Sequence, residues 1–396
     1  MLKKITDLDV KDKRVLVRLD LNLPRKEGII LDYTRIERSI KTIEYLASMG
    51  AKIILLSHLG RPNGIYSMDL SLAPIADSLE KFLNKKVEFA SDIFDNKLIS
   101  KIQNLKPGGV LLIENLRFNK GEESNDPAFV QRLSEIGDFY VNDTFSCSHR
   151  KHASIYGIAK KLPSAAGFLL EDELNNIERI LHKPKTPILA IIGGSKVSTK
   201  LNLLKSLVLK VDMIAIGGAM ANSFLKALKI DIGASLYEKE LLSAALEILE
   251  LAETAGCEII LPRDFIISDN LHHPKYTAIH RVSASNIGKN MIFDIGPASL
   301  RDLEEAIAKA ETIIWNGPVG AFEMSVFDVS SRQIARTIAS ETKYDGKISI
   351  AGGGDTLAVI KTAGLSSGFT YISTGGGAFL EWLEGKELPG VEVLKI

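Results

Sequence analysis

Gly352-Gly353-Gly354-Asp355-Thr356 and Ser373-Thr374-Gly375-Gly376-Gly377 each follow a short strand-like run and open a helix-like one. Glycines there let backbone N–H groups approach an anion that a Cβ would hold off, and the helix N-terminus behind them adds partial positive charge. A single triplet commonly does no more than make a tight turn. Two of them, about one βα unit apart, read as a phosphate cradle, and Asp355 suits a Mg²⁺ carried by a nucleotide. Lys196 and Lys200 lie four apart after Gly193-Gly194. Those glycines are expected to open a helix, so that both ammonium groups point from one face toward the same crevice, placed to meet phosphate; a solvated lysine pair is the alternative.

A second set of residues is dominated by arginine and histidine. It comprises Asp20 and Asn22, Ser57-His58-Leu59-Gly60-Arg61, Glu114-Asn115-Leu116-Arg117, Asn142-Asp143, and His149-Arg150, with Arg35 at the start of the first long helical pattern. One arginine alone is more often a surface group. Repeated at strand ends, arginines make planar forks matched to phosphate and carboxylate. No segment fits Gly-x4-Gly-Lys-[Ser/Thr], and neither triplet extends to Gly-x-Gly-x-x-Gly, so a Walker-type loop and a dehydrogenase fingerprint are both unsupported. His149 and His152 crowd Arg150 and Lys151, and His272-His273 precede Pro274 in an expected loop, so no transition metal is assigned.

The elements that must position these residues form an α/β pattern. Short apolar runs at 14–18, 52–56, 109–113 and 139–141, then at 188–192, 213–216, 258–261, 312–315, 348–351 and 371–372, alternate with amphipathic stretches. That is the pattern of parallel sheets covered by helices on both faces. In such open sheets ligands bind beyond the carboxyl ends of strands. Arginine and histidine dominate there in the first half. In the second half glycine does, at Gly193-Gly194-Ser195-Lys196, Gly217-Gly218-Ala219, Asn316-Gly317-Pro318 and the two triplets, with Pro262 and Asp264 after another strand. The expected organisation is two doubly wound, Rossmann-like domains, 1–167 and 183–384, joined by a helix over 168–182 that Pro184 and Pro187 punctuate. The tail 385–396 is expected to pack back on the first domain.

At 396 residues, with 49 acidic and 49 basic side chains and 45% hydrophobics, the composition is that of a globular protein without a global pull toward nucleic acid or membrane. No stretch approaches the roughly 18 apolar residues of a membrane span, and a cytoplasmic location is the default expectation. Cys147 and Cys257 are too few for a disulfide framework or a cysteine-based zinc site. Asn142-Asp143-Thr144 fits a glycosylation pattern but lacks secretory context.

Seven ordered segments resemble the phosphoglycerate kinase family: residues 15–24 (VLVRLDLNLP), 57–62 (SHLGRP), 114–118 (ENLRF), 193–198 (GGSKVS), 315–318 (WNGP), 352–356 (GGGDT) and 373–377 (STGGG). The resemblance implies ATP-dependent phosphoryl transfer between 3-phosphoglycerate and 1,3-bisphosphoglycerate in glycolysis and gluconeogenesis, by a monomer, with Mg²⁺ on the nucleotide. It assigns the triose substrate to Asp20, Asn22, Arg35, His58, Arg61, Arg117 and Arg150. It assigns the nucleotide to Gly193, Gly194, Lys200, Gly218, Asn316, Glu323, Gly353, Gly354, Asp355 and Thr356, with Asp355 toward the metal. Arg35, Lys196 and the helix start at Gly376 would stabilise the phosphoryl group in transfer, and the 168–181 helix is a hinge candidate for domain closure. The chain departs from the family pattern at Thr199, Ser146-Cys147-Ser148, Arg263 and Val329-Ser330. Two other readings compete: a non-catalytic nucleotide-binding protein that keeps the fold, and a dehydrogenase on similar domains.

Overall fold

The computed structural model describes residues 2–94, 96–182, 184–282 and 286–395. It divides into two compact units, Met1–Asn175 with Glu387–Ile396, and Asn176–Lys386. Both are α/β units built on a six-stranded parallel sheet.

In the first unit the strands are β1 (Arg14–Arg18), β2 (Lys52–Leu56), β3 (Val87–Ala90), β4 (Val110–Ile113), β5 (Phe139–Asn142) and β6 (Ser164–Ala166). Their order across the sheet is β3-β4-β2-β1-β5-β6. Val15, Leu16, Val17 and Ile53 to Leu56 are all buried, because helices cover both faces and leave no polar side for alternation to show. β1 pairs with β2 from Arg14↔Lys52 to Arg18↔Leu56, and with β5 from Val15↔Phe139 to Arg18↔Asn142. Strand order therefore reverses at β1, and the segments after β1 and β5 flank a crevice at the carboxyl edge. The outer strands β3 and β6 were not anticipated. Ser164-Ala165-Ala166 has no β-branched residue to mark it, and β3 is half-exposed.

Several polar residues after these strands cap helices. Glu114 accepts from Ser71 Oγ (2.6 Å) and Leu72 N (2.8 Å) at the start of the helix Ala73–Leu83. Asp143 accepts from Leu169 N (2.8 Å) in the first turn of the helix Phe168–His182, and burial pushes its carboxyl up to about 6. The C-terminal segment belongs to this unit. Gly390 N donates to Ser148 O (2.8 Å), Asn142 Nδ2 donates to Gly390 O (3.0 Å), and Leu2 bridges Lys395.

The second unit has β7 (Ile188–Ile192), β8 (Met213–Ile216), β9 (Glu258–Ile260), β10 (Thr312–Asn316), β11 (Ile348–Gly352) and β12 (Tyr371–Ser373), in the order β9-β8-β7-β10-β11-β12. Here the reversal falls at β7, beside β10. A separate antiparallel sheet, with Asp264–Ser268 between Ala278–Arg281 and Met291–Ile295, was not foreseen. It corrects the reading of Asp264 as a ligand-facing residue after a strand. Asp264 opens a strand and caps the helix Pro297–Lys309, accepting from Ala298 N (2.9 Å) and Ser299 N (2.7 Å). Among the described residues no helix is long and apolar enough to cross a membrane.

Candidate functional site

At the β1/β5 reversal of the first unit, Asp20 is buried in a cationic basin. Its Oδ1 accepts from Arg35 Nη1 (2.8 Å) and Asn22 N (3.1 Å), and Ser146 Oγ donates to Oδ2. Burial pushes the Asp20 carboxyl up, but Arg35 and these hydrogen bonds outweigh it and hold it below the ordinary range. Arg35 Nη1 also donates to Asn22 O (2.8 Å), Asn22 Oδ1 accepts from Gly60 N (2.9 Å), and Arg117 Nη1 donates to Gly60 O (2.7 Å). Asp20, Asn22, Arg35 and Arg117 are thus one bonded set. Arg117 is 3% exposed, with Glu123 as its ion-pair partner at 3.2 Å.

His58 is buried, and burial with the neighbouring Arg18 lowers its imidazole well below the ordinary value, leaving it neutral at pH 7. Arg150 donates from Nε to His149 Nε2 (3.1 Å). Burial and Arg150 lower His149 to about 4; burial, Arg117 and Arg150 lower His152 to about 3. Arg61 is exposed and outside this bonded set. Ligand atoms of Asp20, His58 and Cys147 lie within 4.8 Å of one another. With His58 engaged by Arg18 at 3.0 Å and Asp20 by Arg35, however, the surroundings favour an anion over a cation.

At the β7/β10 reversal of the second unit, Lys200 Nζ donates to Gly193 O (2.6 Å) and Asn316 O (3.0 Å). Burial pulls Lys200 down to about 8, opposed by the nearby Asp355 carboxylate. Asn316 Nδ2 donates to Gly352 O (2.7 Å), and Gly317 N donates to Thr356 Oγ1 (2.6 Å). The ends of β7, β10 and β11 are therefore tied together. Gly353 turns the chain at φ +97° into the helix Gly354–Thr362, and Gly376 does so at φ +51°, ψ −114° before Gly377–Leu383. Both conformations exclude a side chain at ordinary cost. A Cβ at Gly354 or Gly376 would meet nothing within 4 Å, so these backbones face open space. Gly194 accepts from Met220 N (2.9 Å), and Gly218 N donates to Val319 O (2.8 Å) beside an apolar slot lined by Gly217, Ile260, Pro262, Leu303 and Val319. Lys196, Glu323 and Asp355 are exposed.

The expected lysine pair needs correction. No helix begins at Gly193-Gly194; residues 194–200 form bends and turns, and the helix Leu201–Val208 starts after Lys200, its N-cap residue. Lys200 reaches the β7/β10 corner by folding back over it, whereas Lys196 stays in solvent. The four-residue spacing has no helical meaning here.

A family model described as phosphoglycerate kinase matches residues 5–386. The chain belongs to the phosphoglycerate kinase family. It is 50% identical over 394 residues to "Phosphoglycerate kinase" of Orientia tsutsugamushi strain Ikeda, covering 99% of this chain and 97% of the relative. It is also 50% identical over 396 residues to the Brucella melitensis protein of that name, covering all of both chains. The solved structure of phosphoglycerate kinase from Coxiella burnetii superposes with a TM-score of 0.88 at 40% identity, over 100% of this chain and 99% of that one.

Most departures from the family pattern take local structural work. Thr199 Oγ1 donates to Lys196 O (2.9 Å), Arg263 forks onto Asp302 (2.6 and 2.8 Å), and Ser330 Oγ donates to Ile295 O (3.1 Å). Ser146 is different, since its hydroxyl enters the basin at Asp20. Arg18 was also missed as a basin residue: as the last residue of an apolar strand, it read as part of the sheet.

Proposed function

We propose that the protein is a phosphoglycerate kinase catalysing reversible, Mg-dependent phosphoryl transfer between ATP and 3-phosphoglycerate, and so between ADP and 1,3-bisphosphoglycerate. The observation that carries the reading is the complementary chemistry at the two sheet reversals of a chain that the family model matches over residues 5–386. One holds guanidinium groups around Asp20; the other holds Lys200 and open glycine backbone.

In this reading Asp20, Asn22, Arg35, His58, Arg61, Arg117 and Arg150 take the triose. Gly193, Gly194, Lys200, Gly218, Asn316, Glu323, Gly353, Gly354, Asp355 and Thr356 take the nucleotide, with the base in the apolar slot. Asp355 fits a metal: its carboxylate is exposed on the first turn of Gly354–Thr362, near Lys200. Bound there with nucleotide, Mg²⁺ would neutralise phosphate charge.

The acceptor is a substrate carboxylate with an ordinary pKa near about 4, already ionised at neutral pH, so no general base is required. Alignment and neutralisation by Arg35, Lys196 and the backbone at Gly376 then suffice. Because the two ligand sets belong to different units, direct in-line transfer calls for closure of one unit on the other, which also excludes water as a competing acceptor. Small-angle scattering is expected to show more compaction with both ligands than with either alone; equal radii in all states would contradict closure.

ADP formation from ATP, Mg²⁺ and 3-phosphoglycerate tests the activity directly. Nucleotide binding without turnover would favour the non-catalytic alternative. A pH prediction tests the nucleotide side. Lys200 loses its proton as pH rises through about 8, so ADP affinity should fall above that pH. In Lys200→Arg, which keeps its charge, the alkaline limb should flatten. Calorimetric titration of ADP across that range checks this, and an unchanged wild-type affinity would remove Lys200 from the phosphate contacts.

A further inference from the structure

Arg18 is 1% exposed, and a guanidinium so placed must find acceptors for its N–H groups inside the protein. Its Nε donates to Ser154 Oγ (2.8 Å), its Nη1 to Leu19 O, and its Nη2 lies 3.0 Å from His58 Nδ1. A guanidinium has no acceptor, so Nδ1 must accept, and the neutral ring keeps its proton on Nε2. The other end of the chain of contacts is equally fixed. Ser154 Oγ accepts from Arg18, so its own proton goes to Glu122 Oε1 (2.6 Å), while Ser154 N donates to Glu122 Oε2 (3.0 Å). Tyr140 Oη, itself buried, donates to Ser154 O (2.7 Å) and pins that backbone. Glu122 and Ser154 are both 0% exposed. The same helical turn, Lys120–Glu123, also carries Glu123, the partner of Arg117.

We infer that Glu122 and Ser154 are positioning residues for the reaction: they orient Arg18, and through it fix His58 as the Nε2–H tautomer, a neutral hydrogen-bond donor for substrate oxygens. This rests on the proposed placement of His58 in the triose basin. Burial pushes the Glu122 carboxyl above its ordinary range, while Arg18 and the two hydrogen bonds from Ser154 pull the other way and favour the carboxylate. That carboxylate anchors the guanidinium through Ser154 beneath the basin. A neutral donor suits His58, since a further cation among Arg18, Arg117 and Arg150 would be repelled. Without the Ser154 hydroxyl, Arg18 loses its inner anchor, Nδ1 loses its fixed donor, and the ring is free to exchange tautomers.

The test is ¹⁵N NMR of the His58 ring in the full-length, ligand-free protein, alongside initial-rate kinetics. Wild type should show the Nε2–H tautomer. Ser154→Ala should show a tautomer mixture, with KM for 3-phosphoglycerate raised roughly tenfold and KM for ATP unchanged. Glu122→Gln keeps the side-chain shape and should shift the ring in the same direction by less, so it provides the measurement if Ser154→Ala does not fold. A pure Nε2–H state with wild-type KM in the folded variants would overturn the inference. The ring spectrum is read without turnover, so failure of the kinase reading would leave it interpretable.

Discussion

Lys196→Ala is expected to lower kcat by roughly 10²–10³ with KM values nearly unchanged, the loss typical of removing one transition-state donor. The contrast with Lys200 is the reason. The Lys200 ammonium is held by two strand-end carbonyls, so under the proposed assignment it would meet bound phosphate alike before, during and after transfer. Lys196 sits exposed in the segment after β7, with the Glu238 carboxylate as an electrostatic neighbour and no direct side-chain bond fixing its ammonium among the described residues. A solvent-exposed cation gains most where negative charge shifts during transfer, and little in the ground state where water solvates it well. Steady-state kinetics in both substrates decides the point. A raised KM with unchanged kcat would make Lys196 an ordinary binding group.

The sheets were legible because their strands are buried on both faces. Runs such as Ile188–Ile192 and Lys52–Leu56 are nearly continuous apolar segments between amphipathic helices, and that contrast survives in sequence. What followed the strands was legible in kind but not in role. Arginine, glycine and carboxylate all cluster at the strand ends, yet Glu114, Asp143 and Asp264 serve helix N-termini, and Asp20 holds an arginine. Those tasks depend on which helix start packs against which strand, a fact of tertiary structure. The lysine pair failed for a related reason. Spacing of four implies a shared face only inside a helix, and the chain delays its helix until Leu201. Arg18, Glu122 and Ser154 left no signal, because a buried charge is recognisable only when its partner, 104 or 136 positions away, is seen beside it (122 − 18 and 154 − 18).

Arg35→Met should reduce kcat/KM for 3-phosphoglycerate by about 10²–10³, and it should also destabilise the first unit in a pH-dependent way. Arg35 couples the two effects through its bond to Asp20 at 2.8 Å. The Asp20 side chain is 11% exposed and that of Arg35 31%, so the carboxylate is the more committed partner. Removing the guanidinium leaves a buried carboxylate short of its cation, a loss of about 2 kcal/mol once partial exposure of the arginine is allowed for. In wild type the Asp20 carboxyl is held below its ordinary value. Its contribution is therefore present above the unfolded-state pKa near about 4 and fades as pH falls through the lower folded-state value. The wild-type-minus-variant difference in urea unfolding should be full at neutral pH and shrink in acid as Asp20 is protonated. An equal deficit at both pH values would assign the loss to packing of the arginine stem. A stability deficit without the kinetic one would instead leave Arg35 with Asp20 as its partner and no share in binding the triose.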